Sequence, residues 1–177
     1  MKRLNNVDLD KMTDFGEQIR QDPSRARKTQ VVEGEWLSGP GKVQFRGLVK
    51  FEGGQSLFEV DSPTFMGGGG TLPGPMHYCF FGLASCYASV FATMAAMLGI
   101  ELKKVKIRVE ADINFSRMFG LGDQPAMEEV RVVLQVVSPA SPEKIREAEK
   151  MAQERCPVVF TLVNPIKFTP SLEIEKG

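Results

Sequence analysis

Residues 62–100 read SPTFMGGGGTLPGPMHYCFFGLASCYASVFATMAAMLGI, thirty-nine consecutive positions without one Asp, Glu, Lys or Arg. The first part, 62–76, is rich in Gly and Pro and reads as a flexible loop. From Tyr78 to Leu98 the run is apolar and continuous, with Pro75 near its first turn and Gly99 as its stop, which predicts one long helix. At about 20 residues it is long enough to cross a bilayer. Against a span stand Gly82, Ser85, Ser89 and Thr93, and the charged, strand-rich segments on either side. A membrane helix there separates two half-sheets that each need partners, so the expectation is a buried central helix and no membrane.

Upstream, stretches 29–37, 42–52 and 55–61 alternate or carry β-formers and are broken by Ser38-Gly39-Pro40-Gly41 and Gly53-Gly54, a three-stranded antiparallel meander. Residues 8–21 space Met12, Phe15 and Ile19 as a weak helix that Gly16 interrupts and Asp22-Pro23 ends. The basic cluster Arg25-Ala26-Arg27-Lys28 follows as a solvated linker. Downstream, 102–114 and 128–138 are strands joined by the loop SRMFGLGDQPA. Ser141 caps a helix that begins at Pro142 and runs to about Arg155, with Ile145, Ala148 and Ala152 on its apolar face. A short apolar element from Cys156-Pro157 and a closing strand near 166–175 complete the chain. The order of elements predicts an α+β domain rather than a doubly wound one.

With 177 residues the chain is sized for one domain, or one plus a short extension, and 22 basic against 22 acidic side chains give a net charge of zero. A neutral chain lacks the electrostatic footprint of non-specific nucleic-acid binding, so no nucleic-acid partner is expected. His77 is the sole histidine, which excludes HExxH zinc chemistry and obliges any histidine-dependent triad to use it. The three cysteines, Cys79, Cys86 and Cys156, form no CxxC pair and are too few for a four-cysteine zinc site. Gly67–Gly70 is not followed by Lys-Ser/Thr, so it is no P-loop. Neither cofactor nor metal is expected. Sparse cysteines and an N-terminus, MKRLNNVDLDKMTDF, without an apolar signal segment point to a reducing, cytoplasmic setting.

On the central helix, Cys79, Gly82, Cys86, Ser89, Thr93 and Ala96 recur at spacings of 3 and 4 and make a stripe of small side chains. Phe80, Leu83, Tyr87, Val90 and Met94 make the bulky stripe beside it. The small stripe lets another backbone come close and leaves the Cys86 sulfur facing a narrow cleft. A buried cysteine is also common as plain packing, and Cys79, about 10 Å along the helix from Cys86, is read that way. Cys156 precedes a proline, which disfavours the α conformation. If 158–163 is helical, Cys156 ends one helix and caps the next, near free N–H groups that favour a thiolate. Val158-Val159-Phe160 keeps a strand open as the alternative.

Gly-Leu-Ala-Ser-Cys86-Tyr-Ala-Ser inside a long apolar helix, followed about 70 residues later by Glu-Arg-Cys156-Pro-Val, resembles the OsmC/Ohr family of osmotically inducible and organic hydroperoxide resistance proteins. The Gly-rich loop and the order of elements match over roughly 29–175, leaving 1–28 as an N-terminal helical extension of an OsmC-like domain at 29–177. The resemblance implies an antiparallel sheet with a long buried central helix in an intertwined homodimer. It implies a peroxidatic Cys86, which attacks an organic hydroperoxide, and a resolving Cys156, with an external dithiol as reductant. Two departures accompany it. Gly74-Pro75-Met76 stands where family peroxidases open this helix with Asn-Pro-Glu, so Met76 replaces the glutamate. The arginine pattern of the early strands is also absent, with Arg46 the best substitute. His77, nine residues before Cys86, faces the opposite side of the helix.

Met118 and Phe119, just after Phe115, suggest a hydrophobic substrate rather than hydrogen peroxide. A rival reading keeps the fold and the cysteines without the chemistry, as a dimer that binds an apolar ligand. A third makes the N-terminal arm a docking element for a partner.

Overall fold

The computed structural model describes residues 2–41 and 43–175. Arg3–Leu4 (β1) and Val7–Asp8 (β2) form a minimal hairpin, followed by helix α1 (Leu9–Gln21) and a 3-10 turn at Pro23–Ala26. Val32–Trp36 (β3), Phe45–Phe51 (β4) and Gly54–Val60 (β5) come next, then the long helix α2 (Pro75–Met97). Lys104–Glu110 (β6), Arg131–Val137 (β7), α3 (Pro142–Arg155) and α4 (Pro157–Val163) complete the order. The fold is α+β, with every strand pair antiparallel.

The core is the contact of α2 with α3, α4 and β6. Leu83, Tyr87, Phe91, Met94, Ala95 and Ala96 are the buried residues of α2, so its bulky stripe is the face turned inward. Ala148 and Ala152 of α3 pack against it, as do Ile145, Val158 and Val159. The β6–β7 ribbon closes the other side with Val105 opposite Val136, Ile107 opposite Leu134 and Val109 opposite Val132. Period-2 alternation places those pairs on one face and Lys104, Lys106 and Arg108 on the other. Gly99 (φ +71) ends the α2 region in the left-handed conformation that only glycine adopts cheaply. By length and composition α2 is apolar enough to cross a membrane; within this chain it is the helix around which the others pack.

Several expectations are corrected. The charge-free stretch is not deeply buried within one chain: Phe81 is 66% exposed and Met97 55%. Cys79 is exposed rather than packed. The segment 166–175 forms no strand, and Ile166, Phe168, Leu172 and Ile174 are all solvent-facing; alternation alone makes no strand without a neighbour to hydrogen-bond. Gly16 does not interrupt α1, which runs through it. The strand expected over 42–52 begins at Phe45, and Lys42 lies outside the described residues. Ser141 stands at the N-cap position of α3 but its side chain accepts no capping hydrogen bond.

The glycine run is not a free loop. Asp61, 1% exposed, accepts the Gly69 N–H on Oδ1 at 2.9 Å, and on Oδ2 the Thr71 N–H at 2.8 Å and the Thr71 hydroxyl at 2.9 Å. A Cβ at Gly68 would stand 2.0 Å from the Ser62 carbonyl oxygen, and one at Gly69 2.9 Å from Asp61 Oδ2. Glycine is thus required by close approach, and the loop wraps a buried carboxylate that delivers the chain to Pro75. Those donors, the Thr71 amide foremost and then that of Gly69, hold the Asp61 carboxyl below its ordinary value. A carboxyl depressed in the fold stabilises it above the unfolded value and loses that contribution as pH falls through the folded one. Thermal melts are therefore expected to show Asp61-dependent stability above about pH 5 that fades below about pH 4. Asp61→Asn should lower the melting temperature at pH 7 and flatten this acid limb; equal acid limbs in the two proteins would contradict the assignment.

Asn5 clips the N-terminal hairpin to the core, donating Nδ2 to the Ile100 carbonyl at 2.8 Å and accepting the Leu102 N–H on Oδ1 at 2.8 Å. The meander touches α2 at its first turn, where Tyr78 donates its hydroxyl to the Glu59 carbonyl at 2.8 Å and meets the Phe58 ring edge-on at 5.6 Å.

Candidate active site

Cys86 and Cys156 meet where α2 crosses the junction of α3 and α4. Their Sγ atoms are 3.5 Å apart although seventy residues separate them in the chain. Cys156 closes α3 with its N–H on the Ala152 carbonyl (2.9 Å) and opens α4 by accepting the Phe160 N–H (2.9 Å). Its extended conformation (φ −74°, ψ 119°) is the one that a following proline favours. The segment 157–163 is helical, so the strand alternative falls and Pro157 occupies the first position of α4. The double role of one residue as C-cap and N-cap turns the chain at the cysteine and fixes its sulfur against α2.

The two thiols sit in different surroundings. Cys156 is 0% exposed, while Cys86 is half-buried. Burial pushes the Cys86 thiol above its ordinary value, the hydrogen bond with Cys156 pushes it the same way, and the Val158 amide opposes both. The Val158 amide, in the first turn of α4, is thus the influence that favours the Cys86 thiolate. No cationic group is among these influences. Arg46 lies on β4 and donates Nε and Nη2 to Glu59 of the neighbouring strand, at 3.1 and 2.9 Å. His77 accepts the Gly74 N–H on Nδ1 at 3.1 Å, which makes it a cap of α2. The structure therefore brings Cys86 and Cys156 together and gives Arg46 and His77 partners of their own.

Sequence reasoning missed two neighbours of the thiol pair. Tyr87, next to Cys86, donates its hydroxyl to Glu149 Oε1 of α3 at 2.6 Å. Burial first, then this bond to a carboxylate, raises the Tyr87 phenol well above its ordinary value. The bulky-stripe pattern marks Tyr87 as core, and nothing local pairs it with a residue 62 positions away. Alongside lies an open groove of about 1000 Å³, lined by Leu83, Tyr87, Met127, Val159, Leu162 and Val163 among others. At its edge Arg131 is held by Glu110, Asp112 and Glu129. Met118 and Phe119 are exposed, and Phe115 meets Phe65 edge-on at 5.5 Å.

Two thiols in van der Waals contact, one buried and one partly open, can exchange between a dithiol and a disulfide with a small side-chain rotation. Comparison with known proteins agrees with the architecture. A family model described as OsmC-like protein matches residues 68–171, more than half of the chain. An OsmC-like protein from Mycoplasma pneumoniae superposes with a TM-score of 0.57 at 20% identity, covering 76% of this chain and 87% of that one. An organic hydroperoxide resistance protein OsmC from Legionella pneumophila superposes with a TM-score of 0.54 at 18% identity, covering 77% and 90%. At such identities the likeness is one of fold. No curated protein matches the sequence.

Proposed function

The chain belongs to the OsmC-like protein family, and from that premise we propose that it is a thiol-dependent reductant of organic hydroperoxides that works through Cys86 and Cys156. The observation that carries this reading is the 3.5 Å contact between the two sulfurs. The Cys86 thiolate attacks the terminal peroxide oxygen, the O–O bond breaks, and the alkoxide leaves as an alcohol after taking a proton. Cys86 is then a sulfenic acid. The Cys156 sulfur attacks it, the S–O bond breaks, and the departing hydroxide leaves as water with the Cys156 proton. An external dithiol reduces the resulting disulfide by exchange. A buried resolving thiol already in contact favours the disulfide over further oxidation. The relative from Legionella pneumophila is described as an organic hydroperoxide resistance protein, which supports the substrate class.

The working unit in this reading is a homodimer in a reducing cytoplasm, with 1–28 as an extension of the core at 29–177. Trp36 at 60% exposure, Leu57 and Phe65 leave the meander and its following loop with more apolar surface than a lone chain usually shows. A second copy of the chain is the natural cover. An apolar ligand is the second reading, favoured by the open groove beside Tyr87.

Cumene hydroperoxide consumption in the presence of dithiothreitol tests the proposal. Because burial raises the Cys86 thiol, the reactive thiolate is a minor form at neutral pH. The rate is therefore expected to climb about tenfold per pH unit through the alkaline range, until the thiolate predominates. Consumption no faster than that by dithiothreitol alone, at every pH at which the fold survives, would leave the ligand-binding reading.

A further inference from the structure

We propose that Glu149, acting through the Tyr87 hydroxyl, is a positioning residue that sets the register of α3 on α2 and so holds Cys156 within reach of Cys86. The inference rests on the thiol-pair reading above and deepens it.

On the α3 side the fully buried residues of this contact are small, with partly buried Ile145 and Met151 flanking them. Ala148 and Ala152 are both fully buried against α2. Alanine ridges let the backbones approach but offer little to resist sliding or rotation of one helix on the other. Directional contacts add to the packing of Ile145 and Met151 in fixing the register, and among the described residues three cross from α2 to α3 or its cap. One is the thiol pair itself, which changes partners during chemistry. Another is Arg155 Nη1 on the Met94 thioether at 3.5 Å, a weak acceptor approached from an exposed residue. The third is Tyr87 to Glu149 at 2.6 Å, a short bond to a carboxylate and the strongest kind of the three.

Its placement suits the task. Tyr87 adjoins Cys86 in sequence, and Glu149 precedes Cys156 by seven residues, two turns of the same helical face or about 10 Å. A phenol offers a rigid lever with few rotatable bonds, so the bond holds one point of α3 firmly against α2. Cys156, capping the far end of that helix, is then carried to a fixed distance from Cys86.

The test uses the full-length protein equilibrated in glutathione redox buffers, with no hydroperoxide present, and reads the fraction of Cys86–Cys156 disulfide by mass spectrometry. Relative to the native sequence, Tyr87→Phe and Glu149→Ala are expected to lower the disulfide formation constant about tenfold, equivalent to about 30 mV for this two-electron couple. Glu149→Gln keeps an oxygen that accepts the Tyr87 hydroxyl and should stay within about threefold of the native constant. Glu147→Ala, a change at an exposed position of the same helix, should leave the constant unaltered. Melting temperatures measured alongside separate the two roles. A residue needed only for stability lowers the melting point and leaves the redox constant where it was, and that result would overturn the proposal. So would a native protein that forms no Cys86–Cys156 disulfide in any buffer, or a Gln variant as impaired as the Ala variant. Absence of hydroperoxide turnover with the expected constants intact would remove the peroxidase reading and leave this one standing.

Discussion

Replacing Cys86 with serine is expected to lower hydroperoxide consumption by at least about a thousandfold, because the hydroxyl that remains is a far weaker nucleophile with no base beside it. Cys156→Ser should behave differently. Its first turnover should proceed, since Cys86 keeps its half-exposed position and the Val158 amide. Sulfenic acid then accumulates, is trapped by dimedone, and passes to sulfinic acid with excess oxidant. Sustained turnover with a dithiol should fall in step with that loss. Mass spectrometry of both variants after a single addition of cumene hydroperoxide reads the outcome directly. Equal first-turnover rates in Cys86→Ser and the native protein would mean that another group reacts, with the exposed Cys79 the first to examine.

The second large effect falls on stability. Phe91 is completely buried at the centre of the α2 core, in a cluster with Tyr87, Met94, Ile100, Ala148, Ala152 and Cys156. Phe91→Ala removes most of an aromatic side chain where alanines already set the helix separation. Ala148 and Ala152 on the facing helix have little bulk with which to fill the space. A loss of about 3–5 kcal/mol is expected, seen as a fall of roughly 10 °C in the melting temperature of the reduced protein. A fall of only a degree or two would mean that α2 and α3 close on the cavity. In that case the spacing of Cys86 and Cys156 should change too.

Much of this organisation is written locally in the sequence. The alternation of Val105, Ile107 and Val109 against Val132, Leu134 and Val136 predicts the β6–β7 ribbon, and cross-strand pairing joins those same residues. The proline after Cys156 predicts the break in the helix, while the choice between a second helix and a strand at Val158-Val159-Phe160 is made only by the fold, which resumes as a helix and so presents the second thiol. Other features depend on partners distant in the chain. Asp61 stands just outside the charge-free stretch, and only the folded loop reveals that its donors are Gly69 and Thr71. Tyr87 carries the signature of a core residue, and its bond to Glu149 has no spacing that a periodicity could detect. The β1–β2 hairpin turns through Asn5 and Asn6, both with positive φ, but strands of two residues are too short to show a period. Ile166, Phe168, Leu172 and Ile174 carry apolar side chains suited to a strand, yet the segment pairs with none of the edges that β3, β5, β6 and β7 present.

Arg46 illustrates a different difficulty. The family pattern asks for a cation near the reactive thiol, and the structure gives Arg46 to Glu59 in a register-matched cross-strand pair. With Met76 in place of a carboxylate and a thiol raised by burial, the proposed chemistry would rest on proximity: the contact of two sulfurs and one backbone amide. Slow reaction at neutral pH and rapid capture of the oxidised sulfur are the kinetic signs of such a site.

Non-reducing peptide mapping after one equivalent of cumene hydroperoxide, sampled over seconds to minutes at alkaline pH, examines this claim most directly. A peptide linking Cys86 to Cys156 should appear as free thiol disappears, with no linked species in Cys86→Ser and none involving Cys79. Cysteines that remain free while the hydroperoxide persists, or a linkage through Cys79 instead, would contradict the account.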